Sequence, residues 1–161
     1  MKHRLFTSIV VPPATASKIV LLQQKIDALG LPIDWQPSEK LHLTLNYLGR
    51  VEEEKFPDVK KSILDITSSY RPFDLKPAFL ETMYNRHEPS YIYLGLSGDL
   101  DILTSLQKHC SQNFMDMRIP QPLRFLPHIT IGFIKKADPV FTKSVLDKIN
   151  DFHFTPLPKF E

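Results

Sequence analysis

Two short stretches of this chain carry residue types that move protons: His42-Leu43-Thr44-Leu45 and His128-Ile129-Thr130-Ile131. Both read histidine, aliphatic, threonine, aliphatic. Imidazole titrates close to neutrality, so one ring can take a proton from water while a second, protonated, gives one to a departing oxygen. A threonine hydroxyl can donate to the non-bridging oxygens of a phosphodiester, where charge gathers in the transition state. A 2′,3′-cyclic ribose phosphate suits this set, because its ring is strained and water itself can be the nucleophile. A two-histidine metal site would want a third ligand such as a carboxylate, and neither tetrad carries one.

A single His-x-Thr is a cheap pattern, ordinarily a half-buried pair on a strand. His153 and Thr155 form a third copy, but it has no place in the repeat described below and reads as coincidence. The two tetrads differ from it because their surroundings also match.

Positioning follows from strand geometry. Residues two apart on a strand share a face, so His42 and Thr44 point one way while Leu43 and Leu45 point the other. The same holds for His128 and Thr130 against Ile129 and Ile131. The aliphatic faces belong in a core and the polar faces in a cleft. The histidines are 86 residues apart. Shifted by that offset, the apolar run Leu5 to Val11 lands near Tyr91 to Leu96, and Glu52 lands on Asp138, each at a helix onset. Helical stripes follow in both parts. Ile19, Leu22, Ile26 and Leu29 precede Gly30, and Phe56, Val59, Ile63 and Ile66 follow the first tetrad. Leu103, Leu106, Cys110 and Phe114 precede the second tetrad. Phe141, Val145 and Ile149 follow it, behind an Asp138-Pro139 start. Strands are expected over 73–80 and 152–157.

The expected fold is α+β: a single domain over 1–161 with pseudo-two-fold lobes of about 1–85 and 86–161. Two antiparallel sheets would line a central cleft, with helices packed outside and strands open to exchange between lobes. The length suits one domain, and the composition, 42% hydrophobic and 24% charged, is that of an ordinary globular chain. A single cysteine, Cys110, excludes an internal disulfide and fits a reducing cytoplasm. The net charge of +2 is too weak for general coating of nucleic acid, so any such contact is local, such as a chain end in a cleft. No apolar run spans a bilayer, and the opening MKHRLFTSIVVP reads as a buried first strand.

Other residues are weighed singly. Arg124 and Phe125, just ahead of Pro127-His128, are candidates to contact phosphate and to stack on a base. Their plain alternatives are a loop residue and a core anchor. Tyr47, Tyr93 and Cys110 read as core.

The segments RLFTSIVVP, Trp35, LHLTLNYLGRV, IYLGL and RFLPHITIGF together resemble the 2H phosphoesterase superfamily. Within it the chain is most similar to RNA 2′,3′-cyclic phosphodiesterases, also called 2′-5′ RNA ligases or LigT-like proteins. The resemblance implies a bilobal fold with no cofactor and no metal. It implies that His42 protonates the leaving 3′ oxygen, that His128 activates water, and that Thr44 and Thr130 hold the phosphate. The product would be a 2′-phosphate, with 2′-5′ ligation as the reverse reaction. The residues alone leave open which histidine is the acid.

This chain departs from the family at three places. An arginine often follows the second motif, where Lys135 and Lys136 stand here. Ser90-Tyr91 replaces an arginine that often opens the fourth strand. One more strand usually follows the position of Glu161, so an exposed sheet edge is expected. Two other functions stand beside the enzyme: a nucleotide-binding module without turnover, and a phosphodiesterase for another small cyclic phosphate. The expected partners are RNA ends or cyclic nucleotides, with no membrane, for a cytoplasmic monomer.

Overall fold

The computed structural model describes residues 1–85, 88–135, 144, 147–149, 151, 152 and 157–160. Strand β1 (Lys2–Val10) leads through helix α1 (Pro13–Asp27) to a short strand β2 (Ile33–Trp35) and then to β3 (His42–Glu52). Helix α2 (Phe56–Thr67), β4 (Leu75–Asn85), β5 (Glu88–Gly98), α3 (Leu100–Asp116) and β6 (His128–Ile134) follow. All pairings are antiparallel, in the order β1-β3-β6-β5-β4, with β2 also on β6. The helices expected from apolar spacing are present as α1, α2 and α3. Gly30 sits beyond α1 with φ +70°, the left-handed turn that glycine tolerates best. The fourth helical stripe and the last strand, over 138–149 and 152–157, lie largely outside the described residues.

Two expectations are corrected. Among the described residues the strands form one six-stranded sheet and not two. Its halves meet at a narrow seam, where β3 and β6 share the single pair Leu43↔Ile129. Both strands begin at this seam and run away from it in opposite directions, so they overlap only at their first residues. The first strand is also less buried than expected. It is the outer strand beside β3, with Leu5, Thr7 and Ile9 inward and Phe6, Ser8 and Val10 exposed. Strand β2 was not legible as a strand; it occupies the same edge of β6 as β3, further along.

The helices pack on one face of the sheet. There Ile19 and Ile26 of α1, Leu103 of α3, and Leu43, Leu94, Ile129 and Ile131 of the strands form one buried cluster. Leu48, Val51, Val59, Ile66, Leu106, Cys110 and Phe114 form a second under α2 and α3. Leu43 and Ile129 are fully buried, and burial of each such side chain is worth about 1.5–3 kcal/mol. The seam is thus held chiefly from the helix side, leaving the other face of the sheet open. No helix among the described residues is long and apolar enough to cross a membrane.

Candidate active site

Because Leu43 and Ile129 are paired partners facing the helices, their neighbours face the opposite way. His42, Thr44, His128 and Thr130 therefore share the open face, and all four are half-buried. In ordinary antiparallel geometry diagonal positions such as His42 and His128 lie on the order of 8 Å apart in the backbone. That spacing lets two imidazoles reach one phosphate.

The two tetrads are held in the same way. In the first, Val10 pairs with His42, Ser8 with Thr44, and then Leu45 is skipped before Thr7 pairs with Asn46. In the second, Gly95 pairs with His128, Tyr93 with Thr130, and then Ile131 is skipped before Ile92 pairs with Gly132. Each skip is a β-bulge one residue past the threonine, which resets the alternation. Tyr47 and Phe133 thereby turn to the open face, where they are 50% and 46% exposed.

The ring orientations match too. His42 Nδ1 lies 2.7 Å from the Lys40 carbonyl, and His128 Nδ1 lies 2.7 Å from the Leu126 carbonyl. A carbonyl can only accept, so in each ring Nδ1 carries hydrogen and donates. Nε2 is left to exchange a proton with a substrate. Phe6 lies against His42 at 5.1 Å between ring centroids, as Tyr91 stacks on His128 at 5.9 Å.

These tetrads sit in a chain whose residues 9–93, more than half of its length, match the family model for LigT-like phosphoesterases. The chain belongs to that family. This phosphoesterase is 27% identical over 158 residues to the RNA 2′,3′-cyclic phosphodiesterase of Methanocaldococcus jannaschii, covering 98% of this chain and 86% of that one. Its fold is similar to that of a Thermus thermophilus protein, with TM-score 0.72 and 21% identity over 98% of this chain and 83% of that one. It is also similar to E. coli LigT complexed with 3′-AMP, with TM-score 0.69 and 20% identity over 99% of this chain and 83% of that one. At such identities the likeness establishes the shared fold of helices on an antiparallel sheet.

The rest of the phosphoesterase's open face differs between the two histidines. A cavity of about 320 Å³ beside His42 is lined by Phe6, Ser8, Val10, Gln36, Glu39 and Lys40. His128 is walled by rings instead: besides Tyr91, Tyr93 meets it edge-on at 5.3 Å, and Phe133 lies 6.3 Å from Tyr91. Burial pushes the Tyr91 and Tyr93 phenols above their ordinary range, Tyr93 being raised further by Glu81. Both hydroxyls thus stay protonated donors at neutral pH.

Arg124 is exposed on the loop entering β6. Phe125 packs against the core cluster and lines a cavity with Gln107, Ser111 and Gln121 on the helix side. These contacts are those of a core anchor. Tyr93 and Cys110 are buried as expected, whereas Tyr47 is exposed. Among the described residues no three His, Cys, Asp or Glu side chains converge as metal ligands would. His153 and Thr155 lie outside the described residues. Sequence reasoning missed Phe6, Tyr91 and Phe133; strand parity with the tetrads' partners was the signal for Phe6 and Tyr91.

Proposed function

We propose that this phosphoesterase hydrolyses 2′,3′-cyclic phosphodiesters at RNA or nucleotide ends to a 2′-phosphate, without a metal ion. One observation carries the reading: two imidazoles, each fixed through Nδ1 to a carbonyl two residues upstream, share a sheet face with two threonine hydroxyls. His128 Nε2 takes a proton from water as the water oxygen attacks phosphorus. His42, protonated at Nε2, gives its proton to the 3′ oxygen as the P–O3′ bond breaks. Thr44 and Thr130 donate to the non-bridging oxygens. One proton enters on His128 and one leaves from His42, and exchange with solvent restores both. The assignment of acid and base follows the family resemblance. Arg124, four residues ahead of His128 and exposed, is read as a cation that attracts the phosphate of an incoming strand.

We read the halves, about 1–85 and 86–161, as pseudo-two-fold lobes of one domain flanking a cleft. Support comes from the bulges at Leu45 and Ile131, which recur at the same 86-residue offset as the histidines. With a 5′-hydroxyl in place of water, deprotonated by His128 as it attacks phosphorus while His42 protonates the departing 3′ oxygen, the same groups would form a 2′-5′ linkage.

The test is product analysis on 2′,3′-cyclic nucleotides and cyclic-ended oligomers in excess chelator, read by chromatography and phosphorus NMR. A 2′-phosphate is expected. A 3′-phosphate product, or turnover restored only by zinc or manganese, would overturn the mechanism. Tight binding with no turnover would make the protein a binding module.

A further inference from the structure

Strand β4 adds a ring to the His128 side that the hydrolysis does not use. Phe79 pairs with Gly95, which pairs in turn with His128, so the three lie in one row across β4, β5 and β6. A side chain at position 95 would run into the Phe79 ring. The tip of the ring therefore occupies the space over the bare glycine backbone, on the same face as the histidine. Phe79 is nonetheless 44% exposed. Part of the ring thus remains open to solvent beside the glycine it covers.

Phe79 is two strand spacings from His128, roughly 10 Å in the backbone. That is beyond the cyclic phosphate held between the histidines but within the reach of the adjoining nucleotide. Exposed Lys76 stands next in line on the same face of β4, opposite Ser97. Acidic Glu81 on this strand is engaged with the Tyr93 hydroxyl at 3.4 Å. An open ring beside a cation, continuous with the candidate active site, has the chemistry of a single-strand stacking platform.

We propose that Phe79 stacks on the base of the nucleotide preceding the cyclic phosphate, so that RNA of two or more nucleotides is the preferred substrate over a mononucleotide. This rests on the hydrolase reading above and narrows its substrate class. The experiment compares kcat/KM on a 2′,3′-cyclic mononucleotide and on a cyclic-ended dinucleotide with the same terminal base. One base stack is worth roughly tenfold or more, so the wild type should favour the dinucleotide by about that factor, through KM. Phe79→Ala and Phe79→Leu should abolish the preference, and Phe79→Trp should keep it. The ratio of the two substrates is unaffected by the fraction of folded protein, so poor folding of a variant cannot imitate the result.

An equal ratio in wild type and Phe79→Ala, or no wild-type preference, would overturn the platform and leave the hydrolase reading standing. If the wild type turns over neither substrate, the hydrolase reading fails. The platform is then decided by fluorescence anisotropy with a labelled 2′-phosphate-ended dinucleotide and with the matching mononucleotide. A dinucleotide advantage lost in Phe79→Ala supports it, and equal binding refutes it.

Discussion

The His42 and His128 half-sites have the same backbone and different walls. Strand register, bulge position, the Nδ1 bond and one ring against each imidazole recur in both. Around His42 the neighbours are Ser8, Val10, Gln36 and Lys40 beside a cavity; around His128 they are Tyr91 and Tyr93, with Phe133 against Tyr91 and Phe79 over Gly95 further out. Beneath the sheet the halves differ again. Asn46, fully buried, donates to Ser111 and Gln121 at 2.7 and 2.9 Å, while Gly132 lets Ile33 and Trp35 close in. In the mechanism proposed above, the shared part serves proton transfer and the unshared part distinguishes the two ends of a substrate.

The largest expected effect tests the shared part. His42→Ala and His128→Ala should each lower kcat by roughly 10²–10⁴-fold, the usual worth of a positioned proton-transfer group. Steady-state rates check this, and near-normal turnover in either variant would break the equivalence of the halves. The wild-type profile of kcat/KM against pH should be bell-shaped. Loss of His128 should remove its acidic limb and loss of His42 its basic limb, which sharpens the comparison by telling base from acid. Thr44→Ala and Thr130→Ala should cost less, at or below about 10²–10³-fold in kcat. Equal losses would mean both hydroxyls hold the same transition-state charge.

Stability probes the unshared part. Gly132→Ala would bring a methyl to 2.7 Å from Ile33 Cγ2 and 2.9 Å from Trp35 Cε3, costing about 1–3 kcal/mol by overpacking. Asn46→Ala removes the donor to Gln121 Oε1 and one of two donors to Ser111, which keeps Gln107 at 2.9 Å, and should cost about 1–3 kcal/mol. Urea unfolding measures both. The smallest effect is on the alkaline side. Burial raises the Cys110 thiol from its ordinary 9.0 and the Tyr91 and Tyr93 phenols from 10.0. Folding favours the neutral forms, so this stabilisation is complete below those ordinary values and is lost as pH climbs through the raised ones. Urea midpoints should fall above about pH 9, and Tyr91→Phe with Tyr93→Phe should soften the fall.

Much of this was legible in the chain. The tetrads, their faces and three helical stripes follow from periods of 2 and 3.6, because burial of one face dictates them. What was not legible traces to places where period breaks or distance intervenes. The bulges at Leu45 and Ile131 shift parity by one, so counting in twos from Thr44 or Thr130 sends Tyr47 and Phe133 to the wrong side. Strand β2 is only Ile33–Trp35, too short for a pattern. The joining of β3 to β6 rests on Leu43↔Ile129 alone, and no local signal announces a pair that remote. Phe125 left two readings open because one aromatic before a strand carries no period at all.

That lone pair also governs timing. The contacts that build each half-site, β1 with β3 and β5 with β6, close shorter loops than the one that seats Leu43 against Ile129 across 86 residues. Loop closure is entropically costlier as loops lengthen, and remote pairings form slowly. A chain emerging from denaturant can thus own two finished half-sites and still be chemically silent. On refolding, recovery of hydrolysis should lag recovery of the far-ultraviolet circular dichroism signal, and coincident recovery would mean that the seam forms with the first strands.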